Sequence, residues 1–260
     1  MGGVRGQKGG GAGLRARICF LHGISQIPGR NVPSMKLGVL FSGGKDSAFA
    51  CAKAMEKEEV ACLITILPKN PESYLFHTPN IGLTALQAGA AGLPLVSVES
   101  EGVEEAEVAD LFRAISTAVD RHGIEGVVTG AIHSVYQATR VQRVCNDLGL
   151  WCFNPLWLKD QGEYLEEVVS SGFRFLVSSV SAGPLDESWL GREVDRAAVG
   201  ELKALALRHR MNPAGEGGEY ETFVLDAPFF RKRIEVLKAS KEYHGDHGIF
   251  RIGEARLVAR

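Results

Sequence analysis

The residues Ser42-Gly43-Gly44-Lys45-Asp46-Ser47 directly follow the apolar run Leu37-Gly38-Val39-Leu40-Phe41. Two glycines at the end of a strand let backbone N–H groups turn inward around a hollow of anion size. A helix opening near Asp46 and Ser47 aims its positive end at the same hollow. Lys45 adds a full positive charge beside it. The chemistry this pattern suits is the cradling of phosphate. It has neither the G-x-x-x-x-G-K-[ST] spacing of the common P-loop nor the G-x-G-x-x-G spacing of the dinucleotide fingerprint.

Three further segments hold more polar chemistry than a core requires. The stretch Ser73-Tyr74-Leu75-Phe76-His77-Thr78-Pro79-Asn80 carries His77, either an acid–base group or a structural loop histidine. Gly130-Ala131-Ile132-His133-Ser134-Val135-Tyr136-Gln137-Ala138-Thr139-Arg140 opens a second helix. At helical spacing Tyr136, Arg140 and Arg143 share one face, which suits either phosphate charge or solvent. The third is Gly215-Glu216-Gly217-Gly218-Glu219-Tyr220-Glu221-Thr222. Glycines and glutamates so dense are not packing residues. They form an exposed acidic turn, or they converge on a cation: Mg²⁺ or a substrate ammonium group.

The elements that must position these segments alternate. Residues 36–41, 60–67, 95–98 and 126–129 read as strands. Residues 47–57, 81–91, 104–122 and 134–148 read as helices. The helix over 104–122 is the clearest, with acidic residues in its first turn, Arg121 and His122 in its last, and Gly123 after it. Strands alternating with helices imply parallel βαβ units and a doubly wound sheet, whose ligands bind at the carboxyl ends of strands. Both Ser42-Gly43-Gly44 and Gly130-Ala131 fall at such ends. After about Pro155 the rhythm changes. Strands are expected over 173–180 and 220–225 and a helix over 194–209, with weak alternation over 233–242 and 249–260. The expected division is a leader at 1–34, a nucleotide-binding domain at 35–155 and a smaller α+β domain at 156–260.

The chain has 260 residues, 45% hydrophobic and 23% charged, enough for one sizeable core or two modest ones. Its net charge of −2 lacks the basic excess that nucleic-acid binding normally needs, so nucleic acid is a disfavoured partner. No apolar run approaches the roughly 18 residues of a bilayer span, so no membrane is expected. The five cysteines form no C-x-x-C, which fits a reducing cytoplasm. Residues 1–34 hold nine glycines, five Arg or Lys and no acidic residue, and read as a disordered extension with Met35 as the natural start.

Ser-Gly-Gly-x-Asp-Ser resembles the PP-loop of the ATP pyrophosphatases, which cut ATP between its α and β phosphates. Taken with the 73–80, 130–140 and 215–222 segments, Asn154-Pro155-Leu156-Trp157 and Val224-Leu225-Asp226-Ala227-Pro228, the chain resembles the diphthine–ammonia ligases. The resemblance runs from Met35 to about Phe230. The glutamate–glycine segment and Tyr-x-Phe-His-Thr are its most specific parts. Ala214 stands where some relatives carry cysteine.

The resemblance implies the adenine-nucleotide α-hydrolase type of doubly wound sheet. It also implies ATP and Mg²⁺ as cofactors, elongation factor 2 as protein substrate and ammonia as nitrogen donor; it leaves room for a homodimer. Diphthine would be activated as an acyl adenylate and amidated to diphthamide, with AMP and pyrophosphate released. By that analogy Ser42, Gly43, Gly44 and Ser47 hold pyrophosphate, and Lys45 offsets charge on the leaving group. Asp46 places Mg²⁺ or caps the helix, and Gly130 and Ala131 approach the ribose and α phosphate. Lys45, Asp46, Glu216 and Glu219 are the catalytic candidates. His77, Ser134, Gln137, Arg140, Glu216, Gly217, Gly218, Glu219, Tyr220, Glu221 and Thr222 are the substrate-binding ones. Glu216, Glu219, Glu221 and Tyr220 are expected to receive the trimethylammonium of diphthine. Two rival readings are a tRNA-modifying ATP pyrophosphatase and a nucleotide sensor without turnover.

Overall fold

The computed structural model describes residues 18–19, 34–69, 79–101, 104–181 and 183–260. Six strands make the first sheet: β1 (Ile18–Cys19), β2 (Lys36–Leu40), β3 (Glu59–Pro68), β4 (Leu95–Ser100), β5 (Gly126–Val128) and β6 (Trp151–Phe153). All its pairings are parallel, in the order β1-β6-β5-β2-β3-β4. Four helices alternate with these strands: α1 (Lys45–Met55), α2 (Thr84–Ala91), α3 (Glu104–His122) and α4 (Val135–Asp147). The chain builds outward from β2 through β3 to β4, then returns to β5 on the other side. The crevice at the carboxyl ends of β2 and β5 is therefore the point where strand order reverses, the favoured ligand site of such sheets.

Strand β1 comes from the segment expected to stay outside the fold. Ile18 pairs with Cys152 and Cys19 with Phe153. This apolar dipeptide covers backbone groups that β6 would otherwise present as a bare edge.

The second sheet is antiparallel, with order β8-β7-β10-β9, from β7 (Arg174–Val180), β8 (Tyr220–Asp226), β9 (Lys232–His244) and β10 (His247–Ala259). Two helices accompany it, α5 (Gln161–Ser170) and α6 (Arg196–His209). The weakly alternating tail is one long hairpin, β9–β10, turned at Gly245 with φ +66°. Asn80 grips this hairpin: its side chain donates to Phe250 O at 2.9 Å and accepts from Ile252 N at 2.8 Å.

Two apolar cores follow from the layering. On one face of the parallel sheet, Leu111 and Ile115 of α3 and Val141 and Val144 of α4 pack on Cys62, Ile64 and Val127. On the other, α1 lies between the sheets, so Leu37 and Val39 share a core with Phe175, Val177 and Phe223. Phe49 of α1 meets Tyr164 and Phe173 edge-on, at ring-centre distances of 5.7 and 5.4 Å. The second sheet thus closes over the first turn of α1. Among the described residues no helix is long and apolar enough to cross a membrane.

Candidate active site at the crevice of β2 and β5

Strand β2 ends at Leu40 and the chain must turn within four residues to start α1 at Lys45. Gly43 makes that turn with φ +84°, and a Cβ there would lie 2.3 Å from the Gln87 side-chain oxygen. The loop is stitched internally: Ser42 N donates to Ser47 Oγ at 3.2 Å, and Ser47 Oγ donates to Gly44 O at 3.1 Å. Across the crevice, Gly130 passes against the first turn of α1. A Cβ on it would sit 2.7 Å from the Asp46 carbonyl carbon and 2.8 Å from Ser47 N. Only glycine permits that approach.

Strand β8 fastens the loop from the second sheet. Val224 N donates to Gly43 O at 3.0 Å, and Lys45 N donates to Thr222 Oγ1 at 3.0 Å. Gln87 of α2, fully buried, donates from Nε2 to both Gly43 O and Val224 O at 2.9 Å. Thr222, expected to touch substrate, is buried and spends its hydroxyl on the loop backbone.

Lys45 also differs from expectation. Its Nζ donates to Ala214 O at 2.6 Å and to Asp46 Oδ2 at 3.1 Å, and it sits 5.3 Å from the centre of the Tyr220 ring. At 2% exposure it lies behind the cavity wall, tying α1 to the 214–220 loop. Asp46 does reach the cavity, and its Oδ1 accepts from the Tyr164 hydroxyl at 2.6 Å. Burial pushes the Tyr164 phenol well up, with the Asp46 charge adding, so it remains a donor. Among the described residues no three acidic, His or Cys side chains gather as a metal cage.

The glutamate–glycine segment folds into three different jobs. Glu216 Oε1 accepts backbone N–H groups from Ile132 at 3.2 Å, His133 at 2.8 Å and Ser134 at 2.9 Å. It thus occupies the positive N-terminal end of α4. Glu219 accepts from Asn212 N at 2.7 Å and Gly217 N at 2.8 Å, which closes the turn carrying Gly217 and Gly218. Tyr220 is 1% exposed, with its hydroxyl on Pro213 O at 2.7 Å. Of the four residues expected to receive a quaternary ammonium, Glu216 commits one carboxylate oxygen, Glu219 both, and Tyr220 its hydroxyl, while Glu216, Tyr220 and Glu221 all line the cavity. Glu221 is the fourth. Burial raises its carboxyl to about 7, the Lys45 charge opposes this, and Asp46 and Glu216 add to it.

These residues surround a cavity of about 350 Å³, within the usual range for a small-molecule site. Ser42, Asp46 and Ser47 line it from the loop, and Gly130, Ala131, Ser134 and Gln137 from the β5–α4 connection. Glu216, Gly218, Tyr220 and Glu221 line it from the second half. Leu40, Ile64, Ile66, Leu111 and Val141 add an apolar wall the motif reading did not include. Arg140 turns aside, its guanidinium 3.3 Å from the centre of the Tyr136 ring. His77 lies outside the described residues. Gln87 and Tyr164 were missed by the motif reading; both look like ordinary helix residues in sequence, and only the tertiary fold brings them to the loop.

A doubly wound parallel sheet with Ser-Gly-Gly-x-Asp-Ser between β2 and α1 defines a nucleotide-binding α/β protein of the PP-loop type. The sequence matches the family descriptions "Diphthamide synthase N-terminal domain" over residues 35–152 and "Diphthamide synthase C-terminal domain" over 160–258. It is 33% identical over 222 residues to the diphthine–ammonia ligase of Bos taurus, covering 78% of this chain and 83% of that one. Identity to the Danio rerio ligase is 32% over 243 residues, covering 86% and 95%. Identity to the Schizosaccharomyces pombe ligase is 36% over 217 residues, covering 77% of this chain and 36% of the longer yeast protein. The chain belongs to the diphthine–ammonia ligase family.

Proposed function

We propose that this chain is an ATP-dependent ligase that amidates diphthine on elongation factor 2 with ammonia, through an acyl adenylate, releasing AMP and pyrophosphate. One observation carries the reading: the cradle residues Ser42, Asp46 and Ser47 share a cavity with Glu216, Tyr220 and Glu221 of the family's C-terminal unit. A nucleotide in the cradle and a carboxylate presented from the second half would meet there.

The residues divide the work. The Ser42–Ser47 loop and the amino end of α1 receive the phosphates. The apolar wall of Ile64, Ile66 and Leu111 suits the face of an adenine ring. Asp46 keeps carboxylate capacity toward the cavity beyond its bonds to Tyr164 and Lys45. A Mg²⁺ ion fits such a setting, since it takes one or two carboxylates and completes its shell with phosphate oxygens and water. Bound there it would offset phosphate charge. Lys45 acts at one remove, fixing Asp46 and the Ala214 carbonyl.

The tRNA-thiolation alternative requires accessible paired thiols, whereas four of the five cysteines, Cys51, Cys62, Cys145 and Cys152, are buried. The test is pyrophosphate release with ATP, ammonium and diphthine-bearing elongation factor 2, compared with bulk tRNA in its place. Turnover to AMP and pyrophosphate only with the first is expected. Products of ADP and orthophosphate would overturn the proposal.

A further inference from the structure

Ammonia reaches any enzyme at neutral pH chiefly as ammonium, whose nitrogen has no free electron pair. A ligase that uses it must hold this cation beside the activated carboxyl and remove a proton. Four groups of the 216–221 segment were candidates for cation binding, and the structure engages three of them. Glu216 Oε1 takes three backbone N–H groups, the two oxygens of Glu219 take one each, and the Tyr220 ring already lies beneath the Lys45 ammonium.

Glu221 is the exception. Its carboxylate lines the cavity and has no hydrogen-bond or ion-pair partner among the described residues. The β7–β8 register shifts between Val177 and Ser179, whose partners are Thr222 and Glu221. The extra residue there is Ser178 of β7, opposite the Glu221–Thr222 step of β8. The charged groups facing Glu221 are Lys45 and Asp46 from α1 and Glu216 from the 215–219 turn.

The chemistry selects which cation. A quaternary ammonium offers no N–H, and its usual partner, an open aromatic face, is taken up by Lys45 at Tyr220. Ammonium is small and offers four N–H donors to a carboxylate that lacks any. We propose that Glu221 forms the ammonium subsite of this cavity and accepts the proton that releases ammonia for attack. The inference rests on the ligase reading above. In the step, one N–H bond breaks, its proton passes to the Glu221 carboxylate, and its electron pair stays on nitrogen. That pair forms the C–N bond to the acyl carbon while the bond from carbon to the AMP oxygen breaks and its electrons leave with AMP. The amide nitrogen then sheds a further proton to water.

The experiment compares two nucleophiles with the full chain, ATP and diphthine-bearing elongation factor 2. Hydroxylamine is already neutral at pH 7.5 and needs no base, whereas ammonium does. With E221Q, amide formation from ammonium should fall by about a hundredfold, while hydroxamate formation stays within about threefold of wild type. E221D keeps a carboxylate on a shorter stem and should recover part of the ammonium-dependent rate. Equal losses with both nucleophiles, or no loss with ammonium, overturn the assignment. Failure of the ligase reading is separately visible: wild type would then give neither amide nor hydroxamate.

Discussion

The Glu216 carboxylate accepts the backbone N–H of His133 at 2.8 Å, and through this bond and its two neighbours the second half of the chain grips the start of α4. An anion at a helix N-terminus is favoured by both the unpaired N–H groups and the aligned peptide dipoles. Here the chain supplies that anion itself, and in doing so it roofs the cavity with the 215–219 turn.

Glu216→Ala should therefore cost about 1.5–3 kcal/mol, the usual worth of hydrogen bonds to a charged group. Glu216→Gln keeps an acceptor oxygen and should lose roughly half of that. Thermal unfolding of the two variants checks the order, and protease cleavage after Arg210 reports loosening of the turn. Equal stability of Glu216→Ala and wild type would refute the docking role.

Gln87 holds the phosphate loop to β8 by bridging Gly43 O and Val224 O. Gln87→Leu conserves volume but removes both donors, at a cost of about 1–3 kcal/mol. Because the bridge is to the loop, ATP binding should weaken more than the turnover of saturated enzyme. An ATP titration reads this as a rise in KM with kcat nearly kept. A fall in kcat with unchanged KM would sink it.

How much of this was legible in the sequence follows from where each signal resides. The βα rhythm and the helix Glu104–His122 were read within a residue or two, because caps and apolar spacing are local. Helix α5 was missed: Gly162 in its first turn masks the signal, although Asp160 accepts from Gly162 N and Glu163 N as an N-cap. Strand β6 was missed because three residues carry no periodicity. Three of the motifs meet at one cavity, but residue type alone did not separate cavity groups from those behind its wall. Lys45, Glu219 and Thr222 look reactive in sequence, and in the fold their polar groups are held by backbone partners, those of Lys45 and Thr222 far away along the chain.

Tyr220 shows the same point with a measurable consequence. From sequence, Tyr220 was expected to receive the trimethylammonium of diphthine, a role in which its truncation would weaken protein-substrate binding and spare ATP binding. The ring instead packs under Lys45, and its hydroxyl holds Pro213 O. Truncation removes a fully buried aromatic, at about 3–5 kcal/mol, and frees Lys45 beside the phosphate loop. Both affinities should drop together. Tyr220→Phe, which loses only the hydroxyl, should cost about 1 kcal/mol and spare the ring contact. Calorimetric ATP binding to the two variants distinguishes these outcomes.

Glu221 makes stability depend on pH in a direction opposite to most carboxylates. Its carboxyl moves from 4.5 to about 7 on folding. Between those values the folded chain keeps a proton that the unfolded chain has released, so unfolding free energy falls as pH rises across that window. Below it both states are protonated and the contribution vanishes; above it the whole penalty for a buried charge applies. Glu221→Gln is neutral throughout and mimics the protonated form. It should match wild type near pH 4.5 and exceed it by about 1–3 kcal/mol at pH 8. Melting curves of both proteins at the two pH values give the answer. A gap that is the same at each would show that the carboxyl titrates normally and that its place in the cavity is solvated after all.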